Sequence, residues 1–342
     1  MANHESHPCL EQSAPPPAAS YFPIDRRRLE LKPGLHMLGT DFGNGDADAK
    51  IFQIDASFDR YRASKLLARA ERLSKYYRVH QYTPHVAQQI ARFIAHRLVH
   101  EHPRYFSLEQ RTNGGTALNC TLTEETLVFA TNMQLIETGN RVDPPYVSSL
   151  DALACQMQED LAVLRMTDRQ WLSAAHLCFP NHWAVEEKIG RNFAEIHSPV
   201  PGIEKISARA DALVEAMIYK GPYVRFAWGL STDTHLNHHP QPRPGIAQHL
   251  WRGRTFNLTR PGLWLRIERQ ASWGFPQIAA ALFTIRTYFA DCRQIKRDPT
   301  KLARLTCAIE SMPLEILRYK GIASAKPEIL RWLSSAEAPT SQ

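Results

Sequence analysis

Residues 279–289 read AAALFTIRTYF and residues 263–270 read LWLRIERQ. The first is the clearest strand in the chain, rich in aromatic and β-branched side chains. In the second, Leu263, Leu265 and Ile267 alternate with Trp264, Arg266 and Glu268. A period of two places Trp264, Arg266, Glu268 and Gln270 on one face of a strand. WLSAAHLCFP at 171–180 reads as a buried strand ending at Pro180, and 223–230 also reads as extended. These strands do not alternate regularly with helices. The pattern therefore favours an α+β fold with a central antiparallel sheet over a doubly wound α/β fold.

Helical spacing flanks this centre. From 56 to 74, Phe58, Tyr61, Leu66, Leu67, Ala70 and Leu73 recur with helical period. Thr83-Pro84 is a good helix start, and Ile90, Phe93, Ile94 and Leu98 continue it. SSLDALACQMQEDLAVL at 148–164 returns to helical spacing, whereas ALNCTLTEETLVFA at 117–130 fits either a strand or a short helix. Pro299–Ile309, Pro313–Tyr319 and Pro327–Leu333 close the chain as three helices, each opened by its proline. Tyr21 to Gly45 reads as loops and turns, and residues 1–20, which include SAPPPAAS, as a disordered arm. The expected organisation is that arm followed by one domain over 21–342. Within it, 21–165 is mostly helical, 166–290 forms the sheet core and 291–342 supplies C-terminal helices.

Composition bounds the function. A net charge of +7 arises from 41 Lys and Arg against 34 Asp and Glu. That mild excess suits an acidic partner or an anionic cofactor. No basic stripe with interleaved aromatics points to nucleic acid, and a solvated surface accounts for Arg26, Arg27 and Arg28. The six cysteines form no CxxC pair, and dispersed thiols in a chain this long suggest a reducing cytosol. No run of 18 apolar residues and no charged-then-apolar N-terminus is present, so a soluble cytoplasmic protein without a membrane segment is expected. GxGxxG and GxxxxGK[ST] are missing as well. Electrons for any redox chemistry must then come from elsewhere.

The middle segments form an ordered series. Gln158-Glu159-Asp160-Leu161 is followed by Leu177-Cys178-Phe179-Pro180, Trp183 and Lys188-Ile189-Gly190-Arg191. Then come IHSPVPG at 196–202, RFAWGL at 225–230, LRIERQ at 265–270 and FTIRTY at 283–288. In that order and spacing the chain resembles the haem-dependent oxidative N-demethylase family over residues 30–320. The resemblance implies a PAS-like antiparallel sheet enclosing one haem b, with helical N- and C-terminal extensions. It implies an iron with a histidine on one side and an open face for oxygen on the other. A small secondary amine such as dimethylamine would lose a methyl group as formaldehyde, with electrons from separate reductase subunits carrying flavin and an iron–sulfur cluster. The chain departs from the family pattern at Ile267, where serine is usual, and over Ala271-Ser272-Trp273-Gly274-Phe275, where a basic run is usual. The tract STDTHLNHHPQPRPG at 231–245 is unusually histidine-rich. These departures keep open a non-catalytic haem-binding PAS-like sensor or interaction module.

On the resemblance, His197 is the expected iron ligand, with Pro199 and Pro201 fixing the chain beside it. His235 and then His176 are its rivals; His238 and His239 read as a solvated loop. Cys178 could offer a thiolate but sits in an apolar strand, where a neutral thiol is expected. Glu268 is the candidate catalytic carboxylate, able to hold a substrate ammonium and relay protons, against a plain salt bridge to an arginine. Arg225, Arg266, Arg269 and Arg286 are candidates for the haem propionates, because a guanidinium fork fits a carboxylate. Trp228 and Trp273 are candidates to line the cavity, and Tyr288 is expected in the core.

Overall fold

The computed structural model describes residues 14–112 and 114–335. Residues 1–13 of the expected arm, with His4, His7 and Cys9, lie outside the described residues. Residues 14–20 carry no regular structure yet are tied down. The Pro16 carbonyl accepts from the Ala56 amide at 2.8 Å, and the Ser20 amide donates to Asn44 Oδ1 at 2.7 Å. This part of the arm is thus tethered at two points while staying largely exposed.

Among the described residues, two antiparallel sheets are present. In chain order the strands are β1 (His36–Met37), β2 (Tyr77–Val79), β3 (Phe106–Gln110), β4 (Thr116–Cys120), β5 (Glu125–Phe129) and β6 (Leu135–Thr138). They continue with β7 (Asp160–Met166), β8 (Gln170–His176), β9 (Tyr223–Ser231), β10 (Trp264–Phe275) and β11 (Ala280–Asp291). The central sheet runs β1-β9-β10-β11-β7-β8-β2, and β3 to β6 form a separate meander. The α+β expectation holds. β10 and β11 pair along their whole lengths, Trp264 with Asp291 through Phe275 with Ala280. The strand read at 171–180 is β8, ending at His176 rather than Pro180.

Both faces of the central sheet are covered. Leu161, Val163, Ala174, Ala271 and Leu282 share a core with Ile90, Ile94 and Leu98 of the Pro84–Glu101 helix, whose Thr83 cap accepts from the Val86 amide. The opposite face, through Leu164, Leu172, Ala175 and Ala281, packs under the Phe193–His197 and Ala210–Tyr219 helices. The three C-terminal helices, Pro299–Glu310, Leu314–Tyr319 and Lys326–Ser334, fall where their prolines place them and bury Leu265, Ile267 and Tyr288. The Phe58–Arg72 helix is likewise as read.

Two expectations need correction. Residues 21–165 are not mostly helical, because they hold the β3–β6 meander and strands β1, β2 and β7. The 117–130 stretch resolves as β4 and β5, and Gly114 supplies a positive φ of 77° in the turn ahead of them. The helical spacing at 148–164 also fails beyond Ala154. Gln158, Glu159 and Asp160 are fully buried there and accept from distant backbone amides. Glu159 takes the Gln53 amide at 2.7 Å, Gln158 takes that of Asp55 at 2.8 Å, and Asp160 takes those of Cys178 and Phe179, both at 2.8 Å. Satisfying amides far along the chain outweighs local spacing.

Gly274 sets how closely a helix can lie on β10. A Cβ built there would stand 2.1 Å from the Ile218 carbonyl oxygen and 2.7 Å from that of Met217. Both contacts are backbone, so no side-chain rotation relieves them. Gly274→Ala is expected to lower the unfolding free energy by about 1–3 kcal/mol or more, the cost of an overpacked core. Urea unfolding of the two proteins side by side measures it; equal midpoints would show that the Ala210–Tyr219 helix shifts freely.

Candidate functional site

Strand register decides which side chains meet. Arg225 pairs with Gln270 and Ala227 with Glu268, while Gln270 pairs with Ile285 and Phe283 with Ala162. Arg225, Ala227, Arg266, Glu268, Gln270 and Ile285 therefore share one face, as the period of two in LRIERQ predicts for its three members. This face forms one wall of a cavity of about 760 Å³. Apolar side chains from β7, β8 and β11 extend the wall, among them Leu164, Leu172, Ala175 and Phe283. Phe193, Ile196, Ile203, Ile206 and Met217 of the overlying short helices lie across from it. The volume is in the range of sites for sizeable organic cofactors.

His197 is the last residue of the Phe193–His197 helix, which is short but held by a complete capping box between Asn192 and Glu195. Its Nδ1 lies 2.8 Å from the Phe193 carbonyl, and its ring packs against the Phe193 ring at 4.1 Å. With Nδ1–H donating, Nε2 keeps its lone pair and has no partner among the described residues. Burial pushes the imidazole down to about 4, with Arg225 and Lys188 adding to the shift against the Phe193 hydrogen bond. The ring is neutral at physiological pH. Lys188 itself donates to the Ile196 carbonyl at 2.8 Å, bracing the turn that carries His197.

The cationic side chains differ sharply. Arg225 lines the cavity, is held below its ordinary value by burial with Glu268 opposing, and among the described residues makes no hydrogen bond or ion pair; its Nε is buried without a partner. Arg266 also reaches the cavity, but its Nη atoms are taken by the carbonyls of Phe179 at 2.8 Å and Leu236 at 3.1 Å. Glu268 accepts from Gln270 Nε2 at 3.0 Å and has no direct ion pair. Its charge acts on Arg225, Arg266 and Lys320 alike. Lys320 is pushed down to about 8 by burial, against the pull of Glu268, and donates to the Trp228 carbonyl at 2.7 Å.

Other candidates lie elsewhere. Arg269 and Arg286 project from the far face of the sheet and do not line the cavity. Arg269 donates to the carbonyls of Asp48 and Lys50, and Arg286 is paired with Asp55 at 2.6 Å. Trp273 stacks on Phe93 at 5.0 Å, and Tyr288 donates to Gln53, both on that far side. Trp228 also belongs to the far face; it enters the lining because β1 pairs only with Tyr223 and Val224, so the cavity reaches round the open edge of β9. His176 is buried against Asp151 at 3.0 Å, and burial keeps the Cys178 thiol well above its usual range and neutral. His235 is 65% exposed and is not part of the lining. His238 and His239, expected in a solvated loop, are buried.

The family described as haem-dependent oxidative N-demethylase, alpha subunit-like, matches residues 44–330. The chain belongs to this family. Haem dependence and oxidative N-demethylation are the family's reaction class, and its alpha-subunit character implies an assembly of more than one kind of chain. The residues present fit such a group: a largely apolar cavity, a neutral imidazole with a free Nε2, and a half-buried guanidinium lacking the anion that a propionate would supply. No helix among the described residues is long and apolar enough to cross a membrane.

Three lining residues escape the sequence pattern. His182, in the left-handed region at φ 64°, contributes a second imidazole, which burial pushes down to about 2. Lys188 lies within the quoted KIGR element, but nothing in that motif shows a role in bracing His197. Lys320 ends a helix far along the chain. Only tertiary contact reveals any of the three.

Arg225 yields a test in which stability and binding move in opposite directions. Arg225→Leu removes a half-buried charge whose Nε has no partner and is expected to stabilise the haem-free chain by about 1 kcal/mol. The same change should weaken haem binding. Urea unfolding without haem, beside a haem titration, reads both; a destabilised variant with unchanged haem affinity would make Arg225 purely structural.

Proposed function

We propose that this chain is the haem subunit of an oxygen-dependent N-demethylase that acts on a small, dimethylamine-like secondary amine. One haem b would occupy the cavity within a single domain from residue 21 onward, ligated by His197. The observation that carries this reading is the His197 ring, with Nδ1 fixed by the Phe193 carbonyl and Nε2 unpartnered in the lining. An antiparallel sheet with short helices over its cavity face supports a PAS-like enclosure. When bound, the haem supplies an iron at which oxygen is activated.

The chain's residues have separate tasks. Burial keeps His197 neutral, so its lone pair is available for a metal ion. Arg225 offers an unused fork to a propionate carboxylate, and Arg266 adds positive potential from a fixed position. Trp228 covers the open edge of β9. Glu268 has one oxygen held by Gln270 and the other free, which suits it to hold a substrate ammonium and pass protons. The overall change converts dimethylamine, O₂, two electrons and two protons into methylamine, formaldehyde and water. Glu268, one of the carboxylates that line the cavity, would deliver those protons. Separate flavin and iron–sulfur reductase subunits would supply the electrons, a reading supported by the alpha-subunit character of the family.

Two substitutions should fail in different ways. His197→Ala is expected to weaken haem retention or shift the Soret band, whereas an unchanged spectrum would place the ligand elsewhere. Glu268→Gln, nearly isosteric, should keep haem and spectrum while lowering formaldehyde release ~10²-fold or more. Haem loss at unchanged activity per haem would make Glu268 structural. A wild-type chain that binds haem tightly but releases no formaldehyde from any methylamine, given an electron donor and oxygen, would favour the sensor reading.

A further inference from the structure

The histidine-rich loop at 231–245 lends backbone carbonyls to Arg266, but none of its side chains lines the cavity. Within the loop, three donor groups converge. Asp233 Oδ1 lies 3.0 Å from His238 Nε2, Asp233 Oδ2 lies 3.6 Å from His235 Nδ1, and one ligand atom from each residue lies within 4.8 Å of the others. Zinc bonds of about 2.0–2.2 Å to nitrogen and oxygen place the corners of a tetrahedron roughly 3.3–3.5 Å apart. The two observed separations bracket that spacing.

A second observation comes from a different segment. Gly253 has a φ of +57°, and a Cβ built on it would stand 2.7 Å from both Asp233 Oδ2 and His238 Nε2. Any side chain there would fill the space beside two of the three donor atoms. Gly253 is held in place by its carbonyl, which accepts from the Thr232 amide at 2.8 Å. Exposure is graded across the group: the His238 side chain is 1% exposed, that of Asp233 25% and that of His235 65%. The inner ligand is fixed, and the outer one opens to solvent as an entry path.

We propose that Asp233, His235 and His238 form a binding site for a divalent transition metal of the zinc class, with a fourth position left to water. Two imidazoles and one carboxylate suit such an ion better than calcium or magnesium, which prefer all-oxygen shells. Binding through His238 Nε2 moves the ring proton to Nδ1. That replaces the 3.0 Å hydrogen bond from Nε2 to Asp233 with shared ligation of the ion, and gives up a long 3.5 Å contact from Arg266, whose Nη1 keeps the carbonyls of His235 at 3.2 Å and Leu236 at 3.1 Å. The ion would thereby clamp the loop that holds Arg266 in the cavity wall.

Equilibrium dialysis of the full haem-loaded chain, freed of divalent ions by chelator and exposed to micromolar Zn²⁺, tests the site. Elemental analysis reads zinc per chain, and the Soret band is recorded in parallel. The expected result is one zinc per wild-type chain, with affinity reduced at least about tenfold in His235→Ala and Asp233→Asn and with the haem spectrum unchanged. His235 is exposed, so its alanine variant serves should Asp233→Asn fail to fold. No zinc taken up by wild type, or zinc held as tightly by His235→Ala, overturns the proposal, the latter placing the ion elsewhere. Loss of the haem spectrum in His235→Ala would also overturn it, because His235 would then be needed for the haem.

Discussion

The fold depends on three arginines buried in the two longest strands. Arg266 and Arg269 on β10 and Arg286 on β11 are each at most 2% exposed. A guanidinium cannot shed its proton, so each must be given oxygen where it lies. Arg286 receives the Asp55 carboxylate, Arg269 the carbonyls of Asp48 and Lys50, and Arg266 those of Phe179, His235 and Leu236. Three loops distant in sequence are thereby drawn against the sheet. Breaking a buried pair of this kind typically costs several kcal/mol, because the remaining charge stays uncompensated. Period two places Arg266 on the cavity face and Arg269 on the other, so the same constraint anchors structure on both sides.

The cavity departs from this rule, and the departure marks the site. Among the described residues Arg225 has no hydrogen-bond partner and Glu268 no direct ion pair, and burial pushes Lys320 down. The far side of the sheet can satisfy a buried charge fully, as in Arg69 with Asp151 at 2.8 Å, both side chains fully buried. Burial raises the Glu159 carboxyl to about 7 and Asp160 to about 6, yet these two accept amides from other segments and act as struts. Perturbed ionisation alone does not separate strut from site; a place in the cavity lining does, and neither Glu159 nor Asp160 has one.

Much of this was legible in the chain, for identifiable reasons. Alternation in LRIERQ and the apolar run in FTIRTYF reflect strands buried on both faces, and Thr83-Pro84 combines a cap with a fixed φ. Parity alone separates Arg269 from Arg266. Arg286 could not be placed in this way, because its face depends on the β10–β11 register, which matches Arg269 with Arg286. The QEDL element misled because Leu150, Leu153, Ala154, Met157 and Leu161 recur at helical intervals, while the buried acids answer to amides far along the chain. The meander escaped because its strands are four or five residues long, too short for a periodic signal.

The departures from the family pattern acquire meaning only from the register. Ile267 is 1% exposed and belongs with Leu265, Tyr288, Ile295 and Leu305 under the C-terminal helices, on the face turned from the cavity. Ala271 and Trp273 share that parity and pack toward the Pro84–Glu101 helix. Ser272 and Gly274 do face the cavity side, but Gly274 lies directly beneath the backbone of the Ala210–Tyr219 helix. Neither residue is part of the lining, whose side chains from β10 are Arg266, Glu268 and Gln270. A strand that alternates strictly can exchange the packing on one face while the other keeps its chemistry. Ile267, Ala271, Trp273 and Phe275 fall on the packing face, where they bear on how the helices seat on the sheet, and neither they nor Ser272 and Gly274 line the cavity.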